Sequence, residues 1–166
     1  TTPSTPVQSV LAGSTIFSPV GVTDSAPLTK AFDGNTDKCT LTHDATNNPG
    51  FMVTPPSPSI VKGIRIYTTN NYKSRDPTSY VLHGRNGESQ AWELISQSTI
   101  RLSRKRNAQD ITINSTFESG DINRKFGETM FLENNSVYSE YKVSFPTNKG
   151  DGSQTAVAEV EMPGYI

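Results

Sequence analysis

The sequence predicts an all-β domain built as a single antiparallel β-sandwich. Three observations carry that expectation. Apolar residues recur with a period of two wherever the pattern is clear, as in strands that place one face on a core. Eleven prolines and twelve glycines punctuate nearly every window long enough for a helix. The 166 residues, 33% of them hydrophobic, with a mean hydropathy of -0.51, suit one domain with a real core and much polar loop surface.

The elements follow in chain order. The opening Thr1-Thr2-Pro3-Ser4-Thr5-Pro6 favours a solvated, extended chain, so residues 1–7 are assigned to a linker and 8–166 to the domain. Strands are expected over Val7 to Leu11, Phe51 to Thr54, Ile64 to Thr68, Tyr80 to His83, Trp92 to Gln97, Asp110 to Phe117, Thr129 to Leu132, Tyr141 to Phe145 and Thr155 to Met162. Ile64 and Ile66 alternate with Arg65 and Tyr67, Tyr80 and Leu82 with Val81 and His83, and Tyr141 and Val143 with Lys142 and Ser144. Each set gives one face suited to a core. The same alternation places Trp92 and Leu94 together on a core face. Turn residues such as Pro55-Pro56-Ser57-Pro58, Asn86-Gly87 and Asn148-Lys149-Gly150 separate the strands. Many short strands at this spacing argue for a sandwich or jelly roll.

Charge and motifs narrow the function. A net charge of -1 with a pI near 6.1 gives no global attraction to nucleic acid or an anionic membrane. The basic run Arg101, Arg104, Lys105 and Arg106 lacks interleaved aromatics, so it reads as a solvated loop, with an anionic glycan as the competing partner. No apolar run reaches bilayer length, which excludes membrane insertion. The first residues lack a signal-peptide pattern, pointing to a mature fragment of a larger surface protein. Cys39 is the sole cysteine, so no intrachain disulfide forms. It reads as a small buried residue, with pairing to another chain as the alternative. Asn114-Ser115-Thr116 and Asn134-Asn135-Ser136 match the N-glycosylation pattern. His43 and His83 lack zinc-ligand spacing, and neither a Gly-x-Ser-x-Gly elbow nor a phosphate-cradling glycine loop occurs. Cys39 and His43 lie four apart without an orienting group. These absences point to binding rather than catalysis.

Five positions fit one calcium site. Lys30, Asp33 and Asn35 lie in Lys30-Ala31-Phe32-Asp33-Gly34-Asn35, and Ala158 and Glu159 lie near the C-terminus. Calcium takes six to eight oxygens, from carboxylates and backbone carbonyls alike. Gly34 lets the chain bend so that Asp33 and nearby carbonyls converge. An ordinary Asp-Gly-Asn turn with a solvated Glu competes with this reading. An EF-hand does not: Lys38 falls at the place of its obligatory glycine, and Asp44 at the place of its bidentate Glu.

Lys30 to Thr36, Gly63 to Tyr67, Arg75-Asp76-Pro77-Thr78-Ser79-Tyr80-Val81-Leu82-His83-Gly84, Trp92 and Ala158-Glu159-Val160-Glu161-Met162 together resemble the discoidin, or coagulation-factor C-type, galactose-binding-like superfamily. The similarity extends to carbohydrate-binding modules of secreted and surface proteins. The resemblance implies an eight-stranded jelly roll with a structural calcium held by Lys30, Asp33, Asn35, position 38, Ala158 and Glu159. Position 38 is Lys where the superfamily has Thr, so only its carbonyl remains to coordinate.

The resemblance also implies sugar binding through loops at one end of the sandwich, away from the metal. Sugars present an apolar face and a rim of hydroxyls, so a shallow site needs a ring and a few fixed polar groups. Asn70, Asn71, Tyr72 and Arg75 have that composition, and His43, in the loop after the calcium segment, is a further candidate. Each has a structural reading too: Arg75 as an ion pair fixing its own turn with Asp76, Tyr72 as a loop cover, the asparagines as turn residues and His43 as a polar loop residue. Two functions follow. The first is a non-catalytic extracellular module that binds a glycan or polysaccharide; the second is a structural or adhesion domain that contacts other extracellular proteins. An extracellular setting, secreted or at the cell surface, supplies the calcium that a modest site requires.

Overall fold

The computed structural model describes residues 2–7, 9–17, 39–43, 48–67, 69, 73–100, 123–124 and 127–166. Among them the chain forms short strands and one 3-10 turn, Lys73–Arg75. The strands are β1 (Pro6–Val7), β2 (Thr15–Phe17), β3 (Cys39–Thr42), β4 (Gly50–Thr54), β5 (Ile60–Val61), β6 (Gly63–Tyr67) and β7 (Ser79–Arg85). They continue with β8 (Glu93–Thr99), β9 (Asn123–Arg124), β10 (Gly127–Phe131), β11 (Glu140–Ser144), β12 (Gln154–Val157), β13 (Glu159–Glu161) and β14 (Gly164–Tyr165). All described pairings are antiparallel. The expected sandwich is present, cut into shorter segments than eight strands.

Two sheets enclose the core. One has the order β2-β4-β11-β7-β8, the other β13-β6-β10-β9, and two smaller sheets, β1-β14-β5 and β12-β3, close the ends. Phe51, Val53, Tyr80, Leu82, Tyr141 and Val143 face Ile64, Ile66 and Val160 in one buried cluster. The period-two alternation of β7 and β11 thus turns every second side chain inward, as their sequences require. Phe51 and Phe145 meet edge to face with centroids 6.0 Å apart. The Tyr141 hydroxyl donates to the Ser59 carbonyl at 2.7 Å and accepts from the Ser59 hydroxyl at 3.1 Å, so a buried phenol is satisfied.

Close backbone approach fixes two glycines. A Cβ at Gly84 would lie 2.5 Å from the Tyr138 ring, and one at Gly164 would lie 2.0 Å from the Ile60 carbonyl oxygen. Tyr138 in turn packs edge to face on Tyr141 and donates its hydroxyl to Glu93 at 2.9 Å.

Several elements depart from the sequence expectation. Thr155 to Met162 is not one strand: β12 pairs with β3 and β13 with β6, with Ala158 between them donating to the Tyr67 carbonyl at 2.9 Å. Among the described residues of Val7 to Leu11 only Val7 is in a strand, and a turn follows at residues 10–13. From Ser4 onward the Thr/Pro-rich opening segment pairs with the C-terminal residues, Pro6 opposite Tyr165. Trp92 and Leu94 do not face the core. The β7–β8 register slips between Leu82 and His83, with Leu82 opposite Ser96 and His83 opposite Leu94. That bulge makes Ile95 the extra residue, packs it against the core, and turns Leu94, 54% exposed, to the outside. One inserted residue reverses the facing of everything before it.

Both faces of β6 are buried. Ile64 and Ile66 join the apolar cluster, whereas Arg65, Tyr67, Glu159 and Glu161, each at most 3% exposed, lie on the opposite face. Tyr67 is opposite Glu159, and Arg65 is opposite Glu161, with 3.8 Å between guanidinium and carboxylate. Burial and the nearby Glu161 charge push the Tyr67 phenol up. Cys39 is fully buried in the core, and desolvation pushes its thiol up to about 12. That fits the small buried residue and leaves no accessible thiol for pairing with another chain. Asn134 is also buried, with its amide nitrogen donating to the Val61 carbonyl at 3.1 Å. Asp110 to Phe117, Asn114 and the basic run from Arg101 lie outside the described residues.

Candidate functional site

Among the described residues a dense convergence of polar side chains lies at one end of the sandwich, around the turn between β11 and β12. Three chain segments build it: the end of β3, the 3-10 turn with the entry to β7, and residues 147–155. The entry to β7 and the turn are zipped together. Thr78 donates its amide to the Thr147 carbonyl at 2.8 Å, and Lys149 and Asp151 donate theirs to the carbonyls of Asp76 and Ser74, each at 3.0 Å. Asp76 is fully buried, and the Lys149 ammonium sits 3.0 Å from its carboxylate.

Asp151 organises the turn. Its Oδ1 accepts from the amides of Ser153 and Gln154, each at 2.9 Å, and from the Ser153 hydroxyl at 3.1 Å. Its Oδ2 accepts from Arg75 Nε at 3.2 Å. The Ser153 amide, the Gln154 amide and the Arg75 guanidinium all favour the carboxylate, and they hold this group down to about 2. Arg75 thus pairs across the fold with Asp151, because the ribbon brings the distant carboxylate alongside.

Asn148 ties the turn to β12. Its Nδ2 donates to the carbonyls of Asp151 (2.9 Å) and Gln154 (2.8 Å) and to the Thr155 hydroxyl at 3.2 Å. Its Oδ1 accepts from the Gly150 amide at 3.0 Å, and Gly150 takes φ 129°, a conformation suited to glycine. His43 arrives from β3: its Nε2 shares a hydrogen bond of 2.8 Å with the Thr155 hydroxyl, and its amide donates to the Ser153 carbonyl at 2.8 Å. The imidazole, amide and guanidinium of His43, Asn148 and Arg75 are thus fixed on one scaffold, and His43, Asn148 and Arg75 are each partly exposed. Such a group can bond hydroxyls without reorganising.

The structure brings together two of the expected sugar-site residues, His43 and Arg75. Asn70, Asn71 and Tyr72 lie outside the described residues and run directly into the Lys73–Arg75 turn. Sequence reasoning missed Asn148, which was read only as a turn residue. Its position before Lys149-Gly150, where a side-chain amide can replace a backbone partner, was the available signal. Among the expected metal ligands, Lys30, Asp33, Asn35 and Lys38 lie outside the described residues. Ala158 and Glu159 are buried beside the polar face of β6. A carboxylate so removed from water requires compensating charge or donors, and the buried Arg65 guanidinium lies on the same face. Among the described residues no cluster of three or more His, Cys, Asp or Glu forms a metal site by itself.

Neither a family model nor a curated protein sequence matches the chain. Solved structures do. The family 32 carbohydrate-binding module of Clostridium perfringens NanJ, solved with galactose, aligns over 95% of this chain and 98% of its own at 15% identity, with a TM-score of 0.65. The first two family 32 modules of Clostridium perfringens ZmpB, solved with GalNAc, match over 92% of this chain at 14% identity and TM-score 0.66. The chain spans 34% of that longer polypeptide. Chitosan-binding module 1 of a chitosanase/glucanase from Paenibacillus sp. IK-5 matches at TM-score 0.60 and 13% identity, covering 92% of this chain and 96% of its own. The chain has the galactose-binding-like, or discoidin, fold of these binding modules.

Proposed function

We propose that this domain is a non-catalytic, extracellular carbohydrate-binding module that takes a galactose-type sugar at the end of the sandwich where His43, Arg75 and Asn148 meet. The observation that carries the reading is their joint anchoring to Asp151 and Thr155. Three side chains of different donor and acceptor character are held on one rigid turn, partly open to solvent. A sugar rim of hydroxyls is the complementary surface, and Tyr72, with Asn70 and Asn71, would supply the ring and further polar groups from the adjoining segment. The galactose and GalNAc in structures of the same fold support this ligand class.

Calcium belongs to the same proposal as a structural ion. Lys30, Asp33, Asn35 and Lys38 would hold it from the early segment, and Ala158 and Glu159 from the start of β13. It would join the N-terminal third of the domain to β13. Chelation would then lower the melting temperature without directly removing the sugar contacts.

Calorimetric titration of the folded domain with galactose and N-acetylgalactosamine tests the reading. Saturable heat that disappears in a His43→Ala variant that remains folded is expected. Equal binding by wild type and variant would remove the site from this end.

A further inference from the structure

The outer face of the five-stranded sheet carries a second cluster that the end-loop site does not use. Register places Phe17, Met52, Lys142, His83 and Leu94 in one row across β2, β4, β11, β7 and β8. The adjoining row contains Thr15 opposite Thr54, and Glu140 opposite Arg85. Where these rows meet the loop before β8, an open cavity of about 230 Å³ forms, with Phe17, Thr54, Arg85, Glu88, Trp92 and Glu140 in its lining.

Its chemistry is specific. Phe17 is 62% exposed, so its ring presents an apolar face at the cavity mouth. The Arg85 guanidinium lies 4.1 Å from the Trp92 ring centroid, and the Lys142 ammonium lies 5.0 Å from it. Arg85 also bonds Glu140 at 2.7 Å, with their side chains only 13% and 16% exposed. Donors and acceptors are therefore ordered before any ligand arrives, between two aromatic side chains. The lining carries one cation, Arg85, against two carboxylates, Glu88 and Glu140, with the Lys142 ammonium near the Trp92 ring, which disfavours an anionic ligand. The strands that form the floor, β4, β11 and β7, are paired on both edges. They offer no free backbone edge to an extended peptide.

We infer that this cavity is a second carbohydrate subsite, taking one neutral pyranose of a glycan chain, with its apolar face against Phe17 and its hydroxyls on the Arg85–Glu140 pair. The subsite is independent of the end-loop site. Strand β7 runs from one to the other, and its seven residues separate them by roughly 20 Å at about 3.3 Å per residue. A domain with both sites would bind an extended or branched glycan at two points and gain avidity.

Trp92 is the only tryptophan, so its fluorescence reports on this cavity directly. The experiment titrates the whole chain with methyl β-galactoside, cellotetraose and N-acetylchitotetraose while following indole emission. At least one probe is expected to shift the emission saturably. Phe17→Ala should weaken that response about tenfold with an unchanged melting temperature, because the side chain is exposed. His43→Ala should leave it intact. If His43→Ala has no effect on any binding while Phe17→Ala does, the end-loop reading fails and the sheet-face subsite stands. An emission that no probe moves at millimolar concentration, or a response that Phe17→Ala leaves unchanged, overturns the subsite. A dimer in sedimentation that Phe17→Ala dissolves also overturns it, by assigning the face to a second copy of the chain.

Discussion

Replacing Asp151 with Asn tests how the end of the sandwich is held. The side chain accepts two backbone amides and one hydroxyl on Oδ1 and the Arg75 guanidinium on Oδ2. Asn retains one carbonyl oxygen but presents an amide to Arg75. The carboxyl is held down to about 2 in the fold, against 3.8 for an unperturbed aspartate. Each unit corresponds to about 1.4 kcal/mol, but an 18% exposed side chain is screened by solvent, so about 1 kcal/mol is expected. Because the folded value is depressed, this stabilisation is fully present above pH 4 and is lost as the pH falls toward 2. Urea denaturation of wild type and Asp151→Asn across that range measures it. The stability difference should be about 1 kcal/mol at neutral pH and shrink below pH 4. A difference that is constant with pH would refute the assignment of this carboxylate as the charged organiser of the turn.

Other outcomes follow from the packing. Gly84→Ala drives a methyl into the Tyr138 ring, which Tyr141 and Glu93 restrain; a loss of about 2 kcal/mol is expected in urea melts, within the usual range for overpacking. Tyr141→Phe removes the donor to the Ser59 carbonyl and leaves the Ser59 hydroxyl without its acceptor, so about 1–2 kcal/mol should be lost. Cys39, pushed up to about 12 by burial, should resist thiol reagents at pH 8 and react only on unfolding; rapid labelling of the native domain would contradict its place in the core. Calcium at about a hundred times its dissociation constant should add about 2.7 kcal/mol of stability, and Glu159→Gln should reduce that gain; a melting temperature indifferent to chelator would refute the structural ion.

Much of the fold was legible because strands with one apolar face announce themselves. The residues of β7 and β11 alternate as their burial does. Alternation reports polarity, however, and not what lies beyond each face. Arg65 and Tyr67 mark the polar side of β6, yet both are buried. The bulge at Ile95 has no signature in Glu93-Leu94-Ile95-Ser96, so Trp92 was placed in a core that it does not enter. Strands β2, β3, β5 and β14 are too short to show a period.

The site was legible in part. Residue types made His43 and Arg75 candidates, because imidazole and guanidinium in loops are natural partners for hydroxyls. Partners were not legible. The link from Arg75 to Asp151 spans most of the second half of the chain, and only the pairing of the β7 entry with the 147–151 ribbon creates it. Asn148 was hidden for the opposite reason, since a turn asparagine before Lys-Gly has an adequate local explanation.

The central claim is that His43, Arg75 and Asn148 form a sugar site at one end of the sandwich. Two-dimensional NMR of the labelled domain during galactose titration tests it most directly. The account predicts that amides of residues 43, 75 and 148–155 shift together along one saturation curve, while core amides of β4 and β11 stay in place. Saturable binding that shifts none of these end-loop amides would contradict it.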